Sequence, residues 1–397
     1  MVVRETTGVV LTTVFLIVIS YSILLQSDDT IVYTHVTKLV SLDSVNRVDD
    51  RTRTSQLVTS SQLDKLQAAD WPVDMTRKIK PAKSPPQRNI GRNITCDHCA
   101  NNYLAQVSKH DMHSIIQKTF HCVTTSMTPQ TPVCVHDVSD DMFISRQILN
   151  DGTWEPIIVA QFREMLLSHP DIGVIDLGAN IGVYTLIAAE SHHDVIAVEP
   201  YRPNVERLIY AAHLAGTLRH ITVYENGVSD SCGHAELQIN PENLGDVRLK
   251  PSASTSSRRL KHRGVRSKHG LRTSSLADVV TNNPVRTITL GCLADRLNFS
   301  EAIVKIDIQG GEHRALQDFD SLFARTTVRY IIMEWSMLRD YYDTEIANSR
   351  DKSDVSDLIA NLILKGFRAH SALTAKPLST AHWFGWPDDV IWRLNEI

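Results

Sequence analysis

The stretch that decides the fold is GVIDLGANIGVYTL, residues 173–186 of a chain of 397 residues. A short apolar run ends at Asp176, and Gly178 and Gly182 then lead into a segment of helical character. Glycine suits a sharp strand-to-helix turn because it adopts backbone angles that other residues avoid. The stretch therefore predicts the first strand–loop–helix unit of an α/β sheet, with a ligand at the carboxyl end of the strand.

Strand-like and helix-like runs alternate from this stretch to the end of the chain. The strand-like runs cover residues 172–176, 195–199, 221–224, 303–308, 328–334, 367–372 and 390–394, with a hairpin candidate at 234–239. The helix-like runs cover residues 183–190, 204–215, 312–323 and 354–364, and one more lies within 152–169. Near-continuous apolar strands indicate a parallel sheet covered on both faces. We expect an α/β fold with a mostly parallel, seven-stranded sheet and helices on both faces.

The acid in the glycine loop indicates which ligand the loop binds. A dinucleotide loop has the pattern G-x-G-x-x-G, whereas this loop has Gly178, Asn180 and Gly182 preceded by Asp176. A carboxylate there would repel a pyrophosphate, but it suits S-adenosylmethionine (AdoMet), which carries a sulfonium and an ammonium group. Glu199 ends the second strand, where a carboxylate can accept both ribose hydroxyls. The alternative is a glycine turn that serves only strand–helix packing.

Three motifs taken together resemble a known family. DLGANIG (176–182), VEP (198–200) and VKIDIQGGE (304–312) are similar to the FkbM-type family of class I AdoMet-dependent methyltransferases. The resemblance covers about residues 172–333, apart from a basic insertion. It implies a Rossmann-like methyltransferase fold, AdoMet as the donor and methyl transfer to a hydroxyl. The residues that it implies for cofactor binding are Asp176, Gly178, Asn180, Gly182 and Glu199.

The third motif supplies the candidate catalytic residues. Transfer requires alignment of acceptor and donor and removal of a proton from the acceptor. Asp307 and Glu312 are the expected bases, because both follow the fourth parallel strand beside the cofactor crevice. His313 is a third candidate that would point to another helix face. Lys305 either steadies an oxyanion or pairs with one of the acids.

Three further polar residues have two interpretations each. The family usually has Glu where this chain has Gln309, and a neutral amide is a poorer ligand for hard cations. We therefore predict no metal, and an impaired enzyme stays open. Glu334 either lines the acceptor pocket or is a strand-end acid. Asn226 either lies near the adenine or serves an Asn-Gly turn.

The N-terminal part of the chain indicates a membrane anchor and a spacer. Residues 8–25 form an uncharged apolar run, about 27 Å long as a helix, which is long enough to span a bilayer. We predict a cytosolic tail (1–7), a signal-anchor (8–25), a stem (26–92), a Cys-containing lead-in (93–170) and a methyltransferase domain (171–397). A cleaved signal peptide and a buried helix are the alternatives to the anchor.

Cysteines and sequons favour a lumenal domain. The chain has six cysteines, Cys96, Cys99, Cys122, Cys134, Cys232 and Cys292. An even number in a secretory protein suggests disulfides, with free thiols or a zinc site at the first pair as alternatives. Two glycosylation sequons begin at Asn93 and Asn298.

A basic segment interrupts the sheet pattern at residues 248–275, with nine Lys or Arg and no acid. It is either a disordered surface insertion or a dock for an anionic glycan, phospholipid or acidic protein. The net charge of −4 gives no indication of nucleic-acid binding, and we expect none.

These observations predict a single-pass type II membrane protein of the Golgi or another secretory membrane. Its lumenal domain would methylate a hydroxyl, on a glycan or a small molecule, using AdoMet. The alternatives are a catalytically silent binding module, an NAD-dependent enzyme and an adhesion or matrix protein. If the N-terminal segment is cleaved, the protein would be secreted. The oligomeric state is not predicted.

Overall fold

The structure, a computed structural model, describes residues 16–27, 30–41, 102–241, 243–250, 279–280, 284–343 and 349–395. The chain divides into two compact units, Met1–Arg88 and Asn89–Ile397. In the first unit, strands β1 (Leu16–Ser27) and β2 (Thr30–Ser41) pair antiparallel, with Leu16 opposite Ser41 and Ser27 opposite Thr30.

This hairpin differs from the N-terminal predictions. Residues 8–15 of the predicted signal-anchor lie outside the described residues, and 16–25 belong to β1 instead of a helix. β2 falls within the predicted stem, most of which lies outside the described residues. Both segments contain Val, Ile and Tyr, and β2 also contains Thr; these residue types favour strands, and pairing satisfies the backbone groups of both segments. Within the described ranges, no helix has the length and apolar character needed to cross a bilayer.

The second unit contains the helices and the remaining strands. Its helices are α1 (Lys109–Ile116), α2 (Ile144–Asp151), α3 (Pro156–Ser168), α4 (Val183–Glu190), α5 (Arg202–Ala215), α6 (Leu290–Ala294), α7 (Glu312–Ala315), α8 (Phe319–Phe323), α9 (Ser336–Asp343) and α10 (Ser349–Leu364). Its strands are β3 (Cys122–Thr124), β4 (Pro132–Cys134), β5 (Gly173–Leu177), β6 (Val195–Val198), β7 (Ile221–Tyr224), β8 (Gly227–Val228), β9 (Gly233–Asn240), β10 (Asn243–Lys250), β11 (Val279–Val280), β12 (Val285–Ile288), β13 (Glu301–Ile306), β14 (Thr327–Glu334), β15 (Phe367–Ser371) and β16 (Asp389–Leu394).

A seven-stranded sheet forms the centre of this unit, in the order β15-β16-β14-β13-β5-β6-β7. β16 runs antiparallel to both of its neighbours, and the other pairs are parallel. The seven-stranded, mostly parallel sheet expected from the sequence is confirmed. From β5 the strands are added toward β7, and from β13 they are added on the other side of β5, so the strand order reverses between these two parallel neighbours and a crevice opens at their carboxyl ends.

Two apolar clusters cover the two faces of the sheet. Val174 of β5 belongs to a cluster with residues of α3, α4 and α5. Ile175 and Leu177 of the same strand belong to a second cluster with residues of α6, α7, α8 and α10. Successive side chains of a strand point to opposite faces, so Val174 and Ile175 join different clusters, whereas Ile175 and Leu177 share one. The predicted helical layers on both faces are confirmed.

A smaller sheet lies beside this core, with β10, β9, β12 and β8 in that order and β11 paired with β9. The predicted basic insertion begins in β10, which extends to Lys250, and residues 251–275 of it lie outside the described residues. The helix predicted over 312–323 is broken into α7, a 3₁₀ turn (Leu316–Asp318) and α8.

The lead-in packs on the main sheet as part of the second unit. A disulfide joins Cys122 to Cys134 across the β3–β4 pair, as the cysteine count suggested for this region. The Sγ atoms of Cys232 and Cys292 lie 3.3 Å apart. Cys96, Cys99 and the sequon at Asn93 lie outside the described residues. Asn298, the other sequon residue, is exposed between α6 and β13 and donates a hydrogen bond to Asp194.

Candidate active site

A cavity of about 520 Å³ opens at the carboxyl ends of β5, β6 and β13. Its volume falls within the usual range for ligand pockets in proteins. It brings together nine residues that the sequence singled out, namely Asp176, Gly178, Asn180, Glu199, Asn226, Lys305, Asp307, Gln309 and Glu334. The parallel strands explain this convergence, because their carboxyl ends meet at one edge of the sheet.

The glycine loop needs its glycines for two different reasons. Gly178 has a φ of +80°, and a Cβ there would lie 1.9 Å from the carbonyl oxygen of Asp307, so only glycine lets the two loops cross. Gly182 has a φ of +94°, and its missing Cβ lets Leu208 of α5 pack against the start of α4. Gly182 therefore allows the loop to pack against α5, and it does not line the cavity.

Glu199 ties the glycine loop to the end of β6. Its Oε2 accepts a hydrogen bond from the Asn180 backbone N–H (2.9 Å), and its Oε1 accepts one from the Tyr201 N–H (2.9 Å). The Asn204 side-chain amide donates a further one to Oε1 (3.3 Å) and accepts one from His136 of the lead-in (2.7 Å). Burial raises the pKa of Glu199 to about 7, although these hydrogen bonds oppose the rise.

Asp176 lies at the end of β5, buried beside the loop. Its Oδ2 accepts a hydrogen bond from the Thr185 hydroxyl at 2.6 Å. Burial raises the pKa of Asp176 to about 6, against the effect of this hydrogen bond and of Lys305, which pairs with it in the β-sheet register. A cationic ligand beside Asp176 and Glu199 would stabilise their ionised forms.

Lys305, Asp307, Gln309 and Glu334 form a polar chain at the other end of the cavity. The Lys305 ammonium donates to Asp307 Oδ2 at 3.1 Å and lies 5.2 Å from the centre of the Tyr184 ring. The Gln309 amide donates to Asp307 Oδ1 (2.8 Å) and to Glu334 Oε2 (3.1 Å). The ion-pair interpretation of Lys305 and the pocket-lining interpretation of Glu334 both agree with this geometry.

The two acids of this chain differ in pKa. Burial acts to raise the pKa of Asp307, but Lys305 and the hydrogen bonds outweigh it and hold the pKa below the usual value. Burial and the nearby Asp307 raise the pKa of Glu334 well above its usual value. Asp307 is therefore held as an anion, which makes it a weaker proton acceptor than its position alone suggests.

The side chains of Glu312 and Asn226 are both hydrogen-bonded to the backbone, which their sequence positions did not indicate. Glu312 does not line the cavity; its Oε1 accepts hydrogen bonds from the N–H groups of Ile308 (2.9 Å) and Gly310 (3.2 Å). Asn226 lines the cavity, but its side chain is hydrogen-bonded to the backbone of three residues, Tyr103, Ala105 and Arg286. Glu312 holds the loop that carries Gln309, and Asn226 holds the lead-in against the smaller sheet.

The lining residues that the sequence did not identify as site residues include Trp154, Glu155, Tyr184 and Asp389. Tyr184 is the second residue of the helix that follows the glycine loop, and that position was the available signal for it. Trp154 and Glu155 precede α3, and Asp389 begins β16, so no local motif connects them with the loop. Burial, followed by the charge of Glu155, raises the pKa of Asp389 to about 7.

The described residues offer no group of three or more His, Cys, Asp or Glu side chains placed to hold a metal ion. Asp307 and Glu334 come together through Gln309, whose amide N–H groups occupy the space between the two carboxylates. The amide thus supplies the positive end of a dipole between the two acids.

A protein-family model matches the part of the chain that forms most of the main sheet. Residues 176–369 match the family model of the methyltransferase FkbM domain. The match includes Asp176, Glu199 and Asp307 and leaves out Glu155 and Asp389. No curated protein matches the chain.

Several solved structures are similar to the chain at low identity. A putative O-methyltransferase from Klebsiella pneumoniae has 10% identity and a TM-score of 0.34, over 63% of this chain and 95% of that one. An SAM-dependent methyltransferase from Agrobacterium tumefaciens has 9% identity and a TM-score of 0.33, over 70% and 72%. The N-terminal domain of human METTL16, in complex with SAH, has 10% identity and a TM-score of 0.29, over 79% and 99%.

Proposed function

Because the chain belongs to the FkbM methyltransferase family through residues 176–369, we propose that it is an AdoMet-dependent O-methyltransferase. The observation that carries the proposal is the meeting of Asp176, Glu199 and the glycine loop in one cavity. AdoMet supplies an activated methyl group when bound. Glu199 would accept hydrogen bonds from the two ribose hydroxyls of AdoMet. Asp176 would face the positive charge of the methionine part of AdoMet.

The far end of the cavity supports a polyhydroxyl acceptor, such as a glycan. Carboxylates of Glu155, Asp307 and Asp389 line it, and they accept hydrogen bonds from hydroxyl groups. Trp154 and Phe143 line the same cavity with apolar ring surface, which suits the apolar face of a sugar ring. The same carboxylates disfavour an anionic acceptor, since like charges repel.

A secretory location is part of the proposal. The Cys122–Cys134 disulfide supports it, because structural disulfides persist in oxidising compartments. A type II orientation in the Golgi or another secretory membrane would place the catalytic domain in the lumen. The fold does not support a helical anchor over residues 8–25, since residues 16–25 belong to β1, so the location stays a prediction.

The test is calorimetric titration of the full chain with AdoMet and, separately, with NAD. We expect micromolar binding of AdoMet and none of NAD, and Asp176→Ala should weaken the binding. Transfer of the labelled methyl group of AdoMet is then measured on a panel of methyl glycosides and small alcohols. Binding without transfer to any acceptor would favour the silent binding module, and NAD binding would refute the proposal.

A further inference from the structure

The acceptor end of the cavity is built partly by segments outside the family match. Trp154 and Glu155 precede the matched residues and Asp389 follows them, yet all three line the cavity together with Asp307. Trp154 and Glu155 immediately precede α3, and Asp389 begins β16 opposite Glu334 at the end of β14. Segments outside the family match therefore contribute ionisable groups where the acceptor would bind.

Glu155 adopts a conformation that is unusual for a residue with a side chain. Its φ of 45° and ψ of 54° lie in the left-handed region, and Pro156 follows as the first residue of α3. Such backbone strain costs free energy and persists where surrounding contacts hold it in place. Asn180 and Gln309, which line the same cavity, also have positive φ angles, of 52° and 56°.

Tyr184 holds the carboxylate of Glu155 in place. The Tyr184 hydroxyl donates to Glu155 Oε2 at 2.6 Å. The Tyr184 ring packs edge-on against Phe162 of α3, with ring centres 5.3 Å apart, and belongs to the first turn of the helix that follows the glycine loop. Glu155 is thereby connected to the cofactor loop through a single side chain.

The second oxygen of Glu155 is available to a ligand. Oε1 makes no hydrogen bond to any of the described residues. In contrast, both oxygens of Asp307 accept hydrogen bonds, from Lys305 and Gln309. Burial raises the pKa of Glu155, with Lys305 opposing the rise, and a carboxylate with a raised pKa is the better proton acceptor at neutral pH.

Asp389 is the main rival to Glu155. Its carboxylate also lines the cavity and has no hydrogen bond to a described residue. Asp389, however, is not anchored by a side chain of the cofactor loop or of α4. Glu155 is so anchored, and its partner Tyr184 also lies beside Lys305, which neighbours Asp176 in the sheet.

We propose that Glu155 accepts the proton of the acceptor hydroxyl during methyl transfer, and that Tyr184 positions it. This inference rests on the proposed function. Transfer of the methyl group forms the new carbon–oxygen bond, breaks the carbon–sulfur bond and leaves the electron pair on sulfur. The hydroxyl proton passes to the Glu155 carboxylate, which releases it to solvent after the product leaves.

The test uses two ligands that differ at the position of the transferred methyl group. Sinefungin carries a protonated amino group there, on a carbon that replaces the sulfur, whereas S-adenosylhomocysteine carries nothing. In the full chain, Glu155→Gln should raise the Kd of sinefungin about tenfold by removing a charge-assisted hydrogen bond. The Kd of S-adenosylhomocysteine should change less than about twofold. The matched control is Glu164→Gln, the same change at an exposed position of α3, which should alter neither.

Each other outcome overturns the proposal. An equal loss for both ligands in Glu155→Gln would mean a structural role, and no loss for either would place Glu155 away from the reacting group. A selective loss in Asp389→Asn or Asp307→Asn, without one in Glu155→Gln, would assign the proton to that residue. Binding of neither ligand by the unaltered protein would instead refute the proposed function, which separates the two failures.

A second variant keeps the test valid if Glu155→Gln does not fold, as judged by circular dichroism. Tyr184→Phe keeps the carboxylate and removes its hydrogen bond, so the ratio of the two Kd values should shift about threefold toward weaker sinefungin binding. An unchanged ratio in a folded Tyr184→Phe protein would overturn the proposal.

Discussion

Replacement of Glu312 by Gln separates a structural role from a catalytic one. Glu312 is fully buried, its Oε1 accepts the N–H groups of Ile308 and Gly310, and its Oε2 is buried without a partner among the described residues. Burial raises its pKa from 4.5 to about 7. The protonated form is therefore favoured in the folded state, and its contribution to stability is complete below pH 4.5 and is lost as the pH rises through 7.

The size of the effect follows from the pKa shift. A rise from 4.5 to about 7 corresponds to about 3 kcal/mol of unfolding free energy lost by the native protein between pH 4.5 and pH 8. Gln keeps the acceptor oxygen and does not titrate, so the variant avoids this loss. We expect the two proteins to agree within about 1 kcal/mol near pH 5 and the variant to gain about 3 kcal/mol relative to the native protein by pH 8.

The assay is urea unfolding at pH 5 and pH 8, followed by tryptophan fluorescence. Titrating groups that do not interact with Glu312 have the same effect in both proteins, so their effects cancel in the difference. Glu164→Gln, on the exposed side of α3, is the control and should show no pH-dependent difference. A constant difference between Glu312→Gln and the native protein at the two pH values would refute the reasoning. Methyl transfer, measured alongside, should persist in the variant.

Three further predictions concern the glycine loop, Glu199 and the disulfide of the lead-in. Gly178→Ala should abolish AdoMet binding or folding, because its Cβ would lie 1.9 Å from the Asp307 carbonyl oxygen; a normal thermal shift by AdoMet would contradict this. Glu199→Gln should raise the Kd for AdoMet at least about tenfold in calorimetry, since an amide N–H would face the donors that the carboxylate accepts. Replacing Cys122 and Cys134 together by Ser should cost about 3 kcal/mol in unfolding free energy, and an unchanged Tm would argue against a bridge in solution.

The core of the fold and the glycine-loop side of the cavity could be predicted from the sequence. Helix Val183–Glu190 and strand Ile221–Tyr224 have the predicted bounds, because their apolar patterns and bounding residues are local. Asp176 and Glu199 were identified for the same reason: each ends an apolar strand, and parallel strands bring such ends to one edge.

The N-terminal segment shows the limit of local patterns. An apolar run such as residues 16–25 suits a helix or a strand, and the pairing partner decides between them. In the structure, Thr30–Ser41 supplies that partner. The helix predicted over 312–323 is also broken. The buried residues of the short helices α7 and α8 pack with those of α6 and α10, and no single helical stripe runs through both.

The sequence by itself determined the order of strands and helices, the glycine loop and the two acids beside it. Only the tertiary structure decided which acid faces the cavity. The Glu312 side chain accepts a hydrogen bond from the Ile308 backbone and does not line the cavity. Glu155, which lines the cavity, belongs to a segment that precedes the main sheet in the chain. The physical reason is that the direction of a buried carboxylate depends on the donors that surround it, and those donors come from elements distant in the chain.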